Sequence, residues 1–180
     1  MKKNETKKIA LASLFCSISV IVSVIGCVFD MADLVAASAA SVTVAVSKIE
    51  LGGKYPYLIY AATGTLLFLL FPSATVTWYF IMLFGYYPIL QSYILRLPAI
   101  PRRIIKFIIF NLAIMAVYIL LMKTLLLSPE AEYESYLLPA LWILANIFLA
   151  VFDYSLTVFI LAYVKVFRKK WGIDKFMLKH

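Results

Sequence analysis

Residues Leu137 to Tyr163, LLPALWILANIFLAVFDYSLTVFILAY, decide the fold class of this chain. The stretch is long enough to cross a bilayer, which takes roughly 20 apolar residues in a helix. Asp153 lies well inside it, and no other carboxylate lies so far inside an apolar segment. A charge at membrane depth costs on the order of 2.5–3.5 kcal/mol on insertion scales. We therefore expect Asp153 to face the protein interior and to have a polar partner there.

The whole chain has the composition of a membrane protein. Of its 180 residues, 64% are apolar, against about 45–50% in a soluble domain. The basic start MKKNETKKIA precedes an apolar run that extends to about Phe29, which is too long for the core of a cleavable signal peptide. We expect a single transmembrane domain over residues 1–180, with a basic tail at 166–180.

Glycine and proline divide the chain into six apolar segments. These segments predict transmembrane helices at about 9–29, 33–48, 56–71, 75–95, 103–127 and 137–165. Gly52 and Gly53 predict a turn between the second and third segments, while Gly85 and Pro88 predict a kink in the fourth. The predicted fold class is therefore all-α, a polytopic membrane protein of six helices.

The basic residues predict the orientation of these helices. With the N-terminus in the cytoplasm, 16 of the 17 Lys and Arg residues fall on cytoplasmic segments, and Lys123 lies towards the outside. The positive-inside rule then places both termini in the cytoplasm of a multi-pass protein of the bacterial plasma membrane. The net charge of +8 follows from this topology. We therefore expect membrane lipid, and not nucleic acid, as the partner of the basic residues.

We expect no enzyme activity, no metal and no cofactor. The one histidine, His180, is the last residue, and the chain has no Gly-rich phosphate loop and no nucleophile with a base. Cys16 and Cys27 lie about 16 Å apart on one helix, which is too far for a disulfide. If the chain takes part in active transport, another protein must supply the energy.

Acids and aromatic residues at the outer ends of the predicted helices suggest a small-molecule site. The candidate ligand-binding residues are Asp30, Asp33, Trp78, Tyr79, Lys123, Trp142 and Asn146. The alternative interpretation is an aromatic belt with solvated acids at the membrane interface. Lys123 favours a ligand site because it can face an anionic ligand, although it can equally pair with Asp30 or Asp33.

A second group of polar residues lies at membrane depth. Asn146 and Asp153 are two turns apart on one helical face, and counting along the antiparallel helices puts Asn111 and Asp153 both in the cytoplasmic half. We predict a buried polar network of Asn111, Asp153, Tyr86 and Gln91, in which Asn111 is a hydrogen-bond partner of Asp153. Its role can be a structural clamp between helices, proton or ion coupling, or contact with a partner subunit.

The first segment carries small residues at helical spacing. Ala12, Ser13, Cys16 and Ser17 form a small-xxx-small pattern, which allows another helix backbone to approach closely. The pattern is compatible with packing inside the same protein and with a docking face for another membrane subunit.

The opening KKIALASLFCSISVIVSVIG (residues 7–26), the chain length and six helices with both ends inside resemble the S components of energy-coupling factor (ECF) vitamin transporters. The resemblance implies that the first helix docks on a transmembrane coupling subunit served by ABC-type ATPases. It also implies a small molecule of the vitamin or micronutrient class, bound at the outer face. The chain is similar as well to a group of small Firmicute-type six-helix membrane proteins with an IELG-x-x-Y turn, here Ile49–Gly52 with Tyr55, and an FGYYP kink, here Phe84–Pro88.

Three hypotheses about function follow. The first is an S-component-like protein that captures a small molecule and works with an ATP-driven coupling module. The second is a membrane scaffold or envelope-assembly protein whose small-residue faces bind protein. The third is a small secondary transporter in which Asp153 is the coupling acid.

Overall fold

The computed structural model describes the backbone of residues 2–29, 32–124 and 131–168, and the side chains within 5–29, 32–119 and 139–165. All regular structure in these ranges is helical, which confirms the predicted all-α class. The helices are α1 (Lys2–Val28), α2 (Asp33–Glu50), α3 (Tyr55–Leu70), α4 (Thr75–Tyr79), α5 (Tyr87–Ile94), α6 (Ala99–Thr124) and α7 (Ala131–Ala162). Two π-helical turns follow α4 and α7, at Phe80–Phe84 and Tyr163–Arg168.

Helix α2 is the centre of the fold because its side chains are small. It packs against α1, α3, α4, α5 and α7. Ala37, Ala40 and Val44 on this helix have no exposed surface. Alanine and serine allow neighbouring backbones to come close, which is how helices associate in a bilayer.

The contact between α1 and α2 combines close approach with hydrogen bonds. A Cβ atom placed on Gly26 would lie 2.3 Å from the Cβ of Ala36, so glycine is required at this crossing. Further along, the Ser19 hydroxyl donates to the carbonyl of Ala40 at 2.8 Å and lies 2.9 Å from the Thr43 hydroxyl. The small residues Ser19, Ser23 and Gly26 therefore form the inward face of α1.

The predicted turn between α2 and α3 is confirmed. Gly52 and Gly53 have φ values of 60° and 52°, a left-handed conformation that other residues adopt at a cost. The amides of Leu51 and Gly52 both donate to the carbonyl of Ser47, at 2.9 and 3.2 Å, and close the end of α2. Pro56 then occupies the first turn of α3, where its missing N–H has no helical partner to lose.

The fourth predicted segment is interrupted near its middle, as its glycine and proline indicate, but it is not one kinked helix. Helix α4 passes into the π-helical turn Phe80–Phe84, the chain bends at Gly85 and Tyr86, and α5 begins at Tyr87. The amide of Gly85 donates to the carbonyl of Phe80 at 2.7 Å, five residues back. The widened turn leaves the carbonyl of Ile81 available, and the hydroxyl of Tyr60 donates to it at 2.9 Å.

The polarity of the described residues is that of a protein in a bilayer, with polar groups inside and apolar groups outside. Seven polar side chains are buried: Ser19, Ser23, Ser41, Ser47, Thr63, Thr77 and Gln91. The outer face of α6 is apolar at helical spacing, with Ile104, Phe107, Ile108, Leu112, Met115 and Ile119 all exposed. The exposed face of α7 is similar, with Leu141, Leu144, Ile147, Val151, Tyr154 and Val158.

Within the described ranges, two helical stretches are long and apolar enough to cross a membrane. They are Glu5–Val28, with a mean hydropathy of 2.4, and Pro139–Lys165, with a mean hydropathy of 2.1. In each, 17% of the most apolar window is buried, whereas the core helix of a soluble protein is mostly buried. These stretches indicate a membrane location, and the six crossings stay a prediction.

Candidate functional site

Asp153 has the interior partner that its position in an apolar helix requires. The ammonium group of Lys106 on α6 lies 2.6 Å from Oδ2 and 2.8 Å from Oδ1 of this carboxylate. From α5, the hydroxyl of Tyr87 donates to Oδ1 at 2.5 Å and Nε2 of Gln91 donates to it at 2.9 Å. Three helices therefore meet at Asp153, and these four residues are called the Asp153 cluster below.

The break in the fourth segment positions the two partners from α5. Tyr87 is the first residue of α5 after the bend, and Gln91 follows one turn later on the same face. The ring of Tyr87 is almost completely buried and packs 5.2 Å from the ring of Phe110 and 5.8 Å from that of Phe152. This packing holds the phenol against Asp153.

Lys106 belongs to the inward face of α6 even though it lies near the cytoplasmic end of the predicted segment. It is one turn before Phe110, and Ala113, Ile114 and Val117 continue the same buried face. The side chains of Lys106 and Asp153 retain 16% and 18% exposure, so the pair is largely withdrawn from the surface. A neutral ion pair is a far cheaper occupant of an apolar bundle than either charge alone.

The Asp153 carboxylate has little capacity left for a ligand. An ionised carboxylate accepts about four hydrogen bonds, and Lys106, Tyr87 and Gln91 already provide four contacts. Gln91 Nε2 also lies 2.9 Å from the Thr157 hydroxyl, while its Oε1 is buried without a partner among the described residues. The arrangement is a charge-neutral clamp that another cation can enter only by displacing Lys106.

The predicted pairing of Asn111 with Asp153 is wrong. Nδ2 of Asn111 lies 3.3 Å from Oδ1 of Asn146, and its own Oδ1 accepts from Nε1 of Trp142 at 2.8 Å. The reason is the register of the antiparallel helices: because Lys106 is level with Asp153, Asn111 is about five residues, or roughly 7.5 Å, further along. Asn111, Trp142 and Asn146 therefore form a second polar group between α6 and α7, called the Asn111 cluster.

The hydroxyl of Tyr86 makes no hydrogen bond to another residue in the described part of the chain, and the neighbouring residue Tyr87 takes the role predicted for Tyr86. Successive helical residues point about 100° apart, so only one of the two tyrosines can face α7. Sequence reasoning also missed Lys106, which was counted with the cytoplasmic charges. The signal that would have found it is its four-residue spacing from Phe110 on an inward face.

The predicted outer-face residues that the structure describes make their hydrogen bonds in separate places. The Thr75 hydroxyl donates to the Asp33 carboxylate, where α2 and α4 begin. Trp78 lies nearer the surface, where Nε1 donates to the carbonyl of Pro72 at 3.0 Å and the ring meets Phe68 edge-on. Tyr79 is half-buried against the core.

The other predicted outer-face residues fall in two places. Trp142 and Asn146 belong to the Asn111 cluster. Asp30 and the side chain of Lys123 lie outside the described residues.

The small-residue pattern of α1 divides between two faces. Ala12 and Cys16 pack inward, and the sulfur of Cys16 lies 3.4 Å from the hydroxyl of Thr63 on α3. Ser13 and Ser17 are exposed, and their hydroxyls donate to the carbonyls of Ile9 and Ser13 at 3.1 and 3.0 Å. Half of the predicted docking residues therefore serve internal packing, and half lie on the outer face of α1.

A shallow groove of about 270 Å³ opens between α3 and the π-helical turn Phe80–Phe84. Its lining is Tyr60, Ala61, Gly64, Thr65, Phe68 and Ile81, without a charged side chain. In the part of the chain that the structure describes, no three His, Cys, Asp or Glu side chains gather where they could hold a metal ion. Comparison with protein-family models, with curated proteins and with solved structures finds no match.

Proposed function

We propose that this chain is a six-span protein of the bacterial plasma membrane that works like an S component. It would take up a small molecule of the vitamin or micronutrient class from the outer face and deliver it with an ATP-driven coupling module. The observation that carries the proposal is the division of small residues on α1. One face of α1 packs against α2 and α3. A second face, with Ser13 and Ser17, is exposed and takes no part in this internal packing.

The six crossings are supported by the order and length of the helices. Between the two long apolar stretches lie α2 with 18 residues, α3 with 16, and α4 with α5 joined by a π-helical turn. Helix α6 has 26 residues, and its outer face is apolar over the described side chains. The distribution of Lys and Arg places both termini inside if each of these units crosses once.

The Asn111 cluster supports a ligand site between α6 and α7. Its three side chains offer amide donors and acceptors beside an indole ring, which is the chemistry that orients small polar molecules in apolar pockets. All three are half-buried, so a ligand can reach them without opening the packed core around α2. The competing interpretation is a clamp that only joins α6 to α7.

Co-purification tests the docking half of the proposal. The tagged full-length chain is purified in a mild detergent, and mass spectrometry identifies the associated subunits. We expect the wild type to retain a transmembrane subunit with ABC-type ATPases, and Ser13→Leu/Ser17→Leu to lose it at least about tenfold, because leucine blocks close backbone approach. Ser155→Leu is the matched control, since it makes the same change at an exposed position of α7.

The outcomes separate docking on a coupling subunit from the scaffold hypothesis. Equal retention in all three proteins would exclude this face of α1 as the docking surface. Loss of envelope-assembly proteins, with no ATPase subunit present in the wild type, would support the scaffold hypothesis instead.

Native mass spectrometry of the same samples tests the ligand half. We expect a released small molecule from the wild type and the Ser155→Leu protein. Asn146→Leu removes amide hydrogen bonds worth roughly 1.5 kcal/mol, so we expect about tenfold less retained molecule. Equal retention in Asn146→Leu and the wild type would mean that the Asn111 cluster is a clamp and not a ligand site.

A further inference from the structure

Four side chains from three parts of the chain meet at the end of the bundle that the charge pattern places in the cytoplasm. Lys48 comes from the last turn of α2, Tyr57 from the first turn of α3, and Tyr93 and Arg96 from the end of α5 and the residues after it. The Lys48 ammonium lies 4.9 Å from the ring centroid of Tyr93 and 5.5 Å from that of Tyr57. The Arg96 guanidinium lies 5.8 Å from the same Tyr93 ring.

Two positive charges therefore converge on one aromatic ring. A tyrosine ring attracts a cation through its electron-rich face, but the contact leaves the charge itself uncompensated. Among the described residues, neither Lys48 nor Arg96 has a carboxylate within ion-pair distance. The ion pair in that part of the chain joins Lys106 to Asp153. Because the two cations contact the same ring, an anion that reaches both would be attracted by two positive charges.

The tyrosine hydroxyls add hydrogen-bonding capacity to these charges. The oxygens of Tyr57 and Tyr93 lie 2.7 Å apart, so one hydroxyl donates to the other. Each hydroxyl has one proton, and the second proton of the pair stays available for an outside acceptor. Both residues are exposed, at 44% and 46%, so the four groups line an accessible surface and not a core.

We propose that Lys48, Tyr57, Tyr93 and Arg96 form a binding site for the phosphate of an anionic phospholipid headgroup. The surface next to them is apolar: Leu58 is 54% exposed and Leu95 is 39% exposed. A lipid offers both a phosphate for the cations and hydrocarbon for these leucines, whereas free phosphate offers only the first. Basic pockets between helix ends on the cytoplasmic side are where such headgroups bind, and this orientation rests on the topology proposed above.

Titration of the full-length protein in detergent tests the site. Native mass spectrometry measures binding of phosphatidylglycerol, of phosphatidylcholine, and of inorganic phosphate. We expect saturable binding of phosphatidylglycerol, weaker binding of the zwitterionic phosphatidylcholine, and weak binding of inorganic phosphate. Binding of inorganic phosphate as tight as that of phosphatidylglycerol would overturn the lipid assignment. Because detergent solution has no inside or outside, a failure here is distinguishable from a failure of the topology.

A charge-matched pair of variants shows whether these four residues are a site or only part of a basic surface. Lys48→Gln/Arg96→Gln should weaken phosphatidylglycerol binding about 30-fold, since a basic residue near anionic lipid is worth roughly 1 kcal/mol and a fivefold change. Lys54→Gln/Arg103→Gln removes the same charge from exposed positions whose side chains are not among the four proposed site residues, and should change binding less than about threefold. Equal losses in both pairs would overturn the proposal.

The tyrosines provide a second test that leaves every charge in place. Tyr57→Phe/Tyr93→Phe keeps both rings and removes the hydroxyl donors, so we expect about fivefold weaker binding of phosphatidylglycerol with no change in the melting temperature. Unchanged binding in this variant, together with equal losses in Lys48→Gln/Arg96→Gln and Lys54→Gln/Arg103→Gln, would overturn the proposal. It would mean that phosphatidylglycerol is attracted nonspecifically to the basic end of the protein.

Discussion

At the scale of single residues, Asp153 shows what one charge in an apolar helix implies. Its cost at depth predicts a polar partner, and the structure provides Lys106, Tyr87 and Gln91. The identity of the partner does not follow from the sequence, because it depends on the register between α6 and α7. A shift of five residues, roughly 7.5 Å, decides whether Asp153 meets Asn111 or Lys106.

The ion pair changes what substitutions of Asp153 should do. Asp153→Asn keeps hydrogen bonds to Tyr87 and Gln91 but leaves the Lys106 charge unpaired. Breaking a buried pair from one side costs about 3–5 kcal/mol, and we expect about 3 kcal/mol here because both side chains keep some exposure. The measurement is the midpoint of thermal unfolding in detergent.

The double variant Lys106→Gln/Asp153→Asn is the control for this prediction. It removes both charges, so it should recover most of the lost stability. Stability unchanged in Asp153→Asn, with uptake abolished, would instead identify the Asp153 cluster as a proton-coupling site.

At the scale of elements, the sequence predicts where helices are interrupted better than it predicts the local geometry of the interruption. Gly52 and Gly53 correctly mark the turn after α2, and Gly85 with Pro88 correctly marks an interruption. The π-helical turn at Phe80–Phe84 was missed, because a shift from four-residue to five-residue hydrogen bonding leaves no signature in residue type. A contact distant in sequence also meets this turn, since the hydroxyl of Tyr60 on α3 donates to the carbonyl of Ile81.

Two helical glycines provide a matched test of how closely the elements pack. A Cβ on Gly26 would lie 2.3 Å from Ala36, whereas a Cβ on Gly64 would meet Ile81 at an ordinary 3.4 Å. Gly26→Ala should push α1 away from α2 and cost about 1–3 kcal/mol. Gly64→Ala should leave stability unchanged or raise it slightly, because alanine favours the helix.

Thermal unfolding in detergent compares the two glycine variants. A melting temperature for Gly26→Ala equal to that of Gly64→Ala would mean that α1 and α2 do not depend on this close crossing. The crossing at Gly26 would then not fix the position of the proposed docking face of α1, which carries Ser13 and Ser17.

At the scale of the whole molecule, the division between inside and outside follows from polarity. Composition and charge predict a membrane protein with both ends inside, and the apolar outer faces of α1, α6 and α7 agree with a membrane location. Which polar groups face each other could not be predicted in this way. The Asn111 cluster, the Asp153 cluster and the tyrosines beside Lys48 each depend on side chains from separate helices.

The topology itself is tested by the accessibility of single cysteines. The parent protein carries Cys16→Ala and Cys27→Ala, so that an introduced cysteine is the only thiol. A cysteine at Ser128 or Glu134 should react with a membrane-impermeant maleimide in intact cells, whereas one at Ala99 or Arg103 should react only after the membrane is opened. This follows because one cation, Lys123, lies near the first pair and several lie near the second. The reverse pattern would place the Lys48 and Tyr93 end of the bundle outside, and the lipid site would then face the outer leaflet.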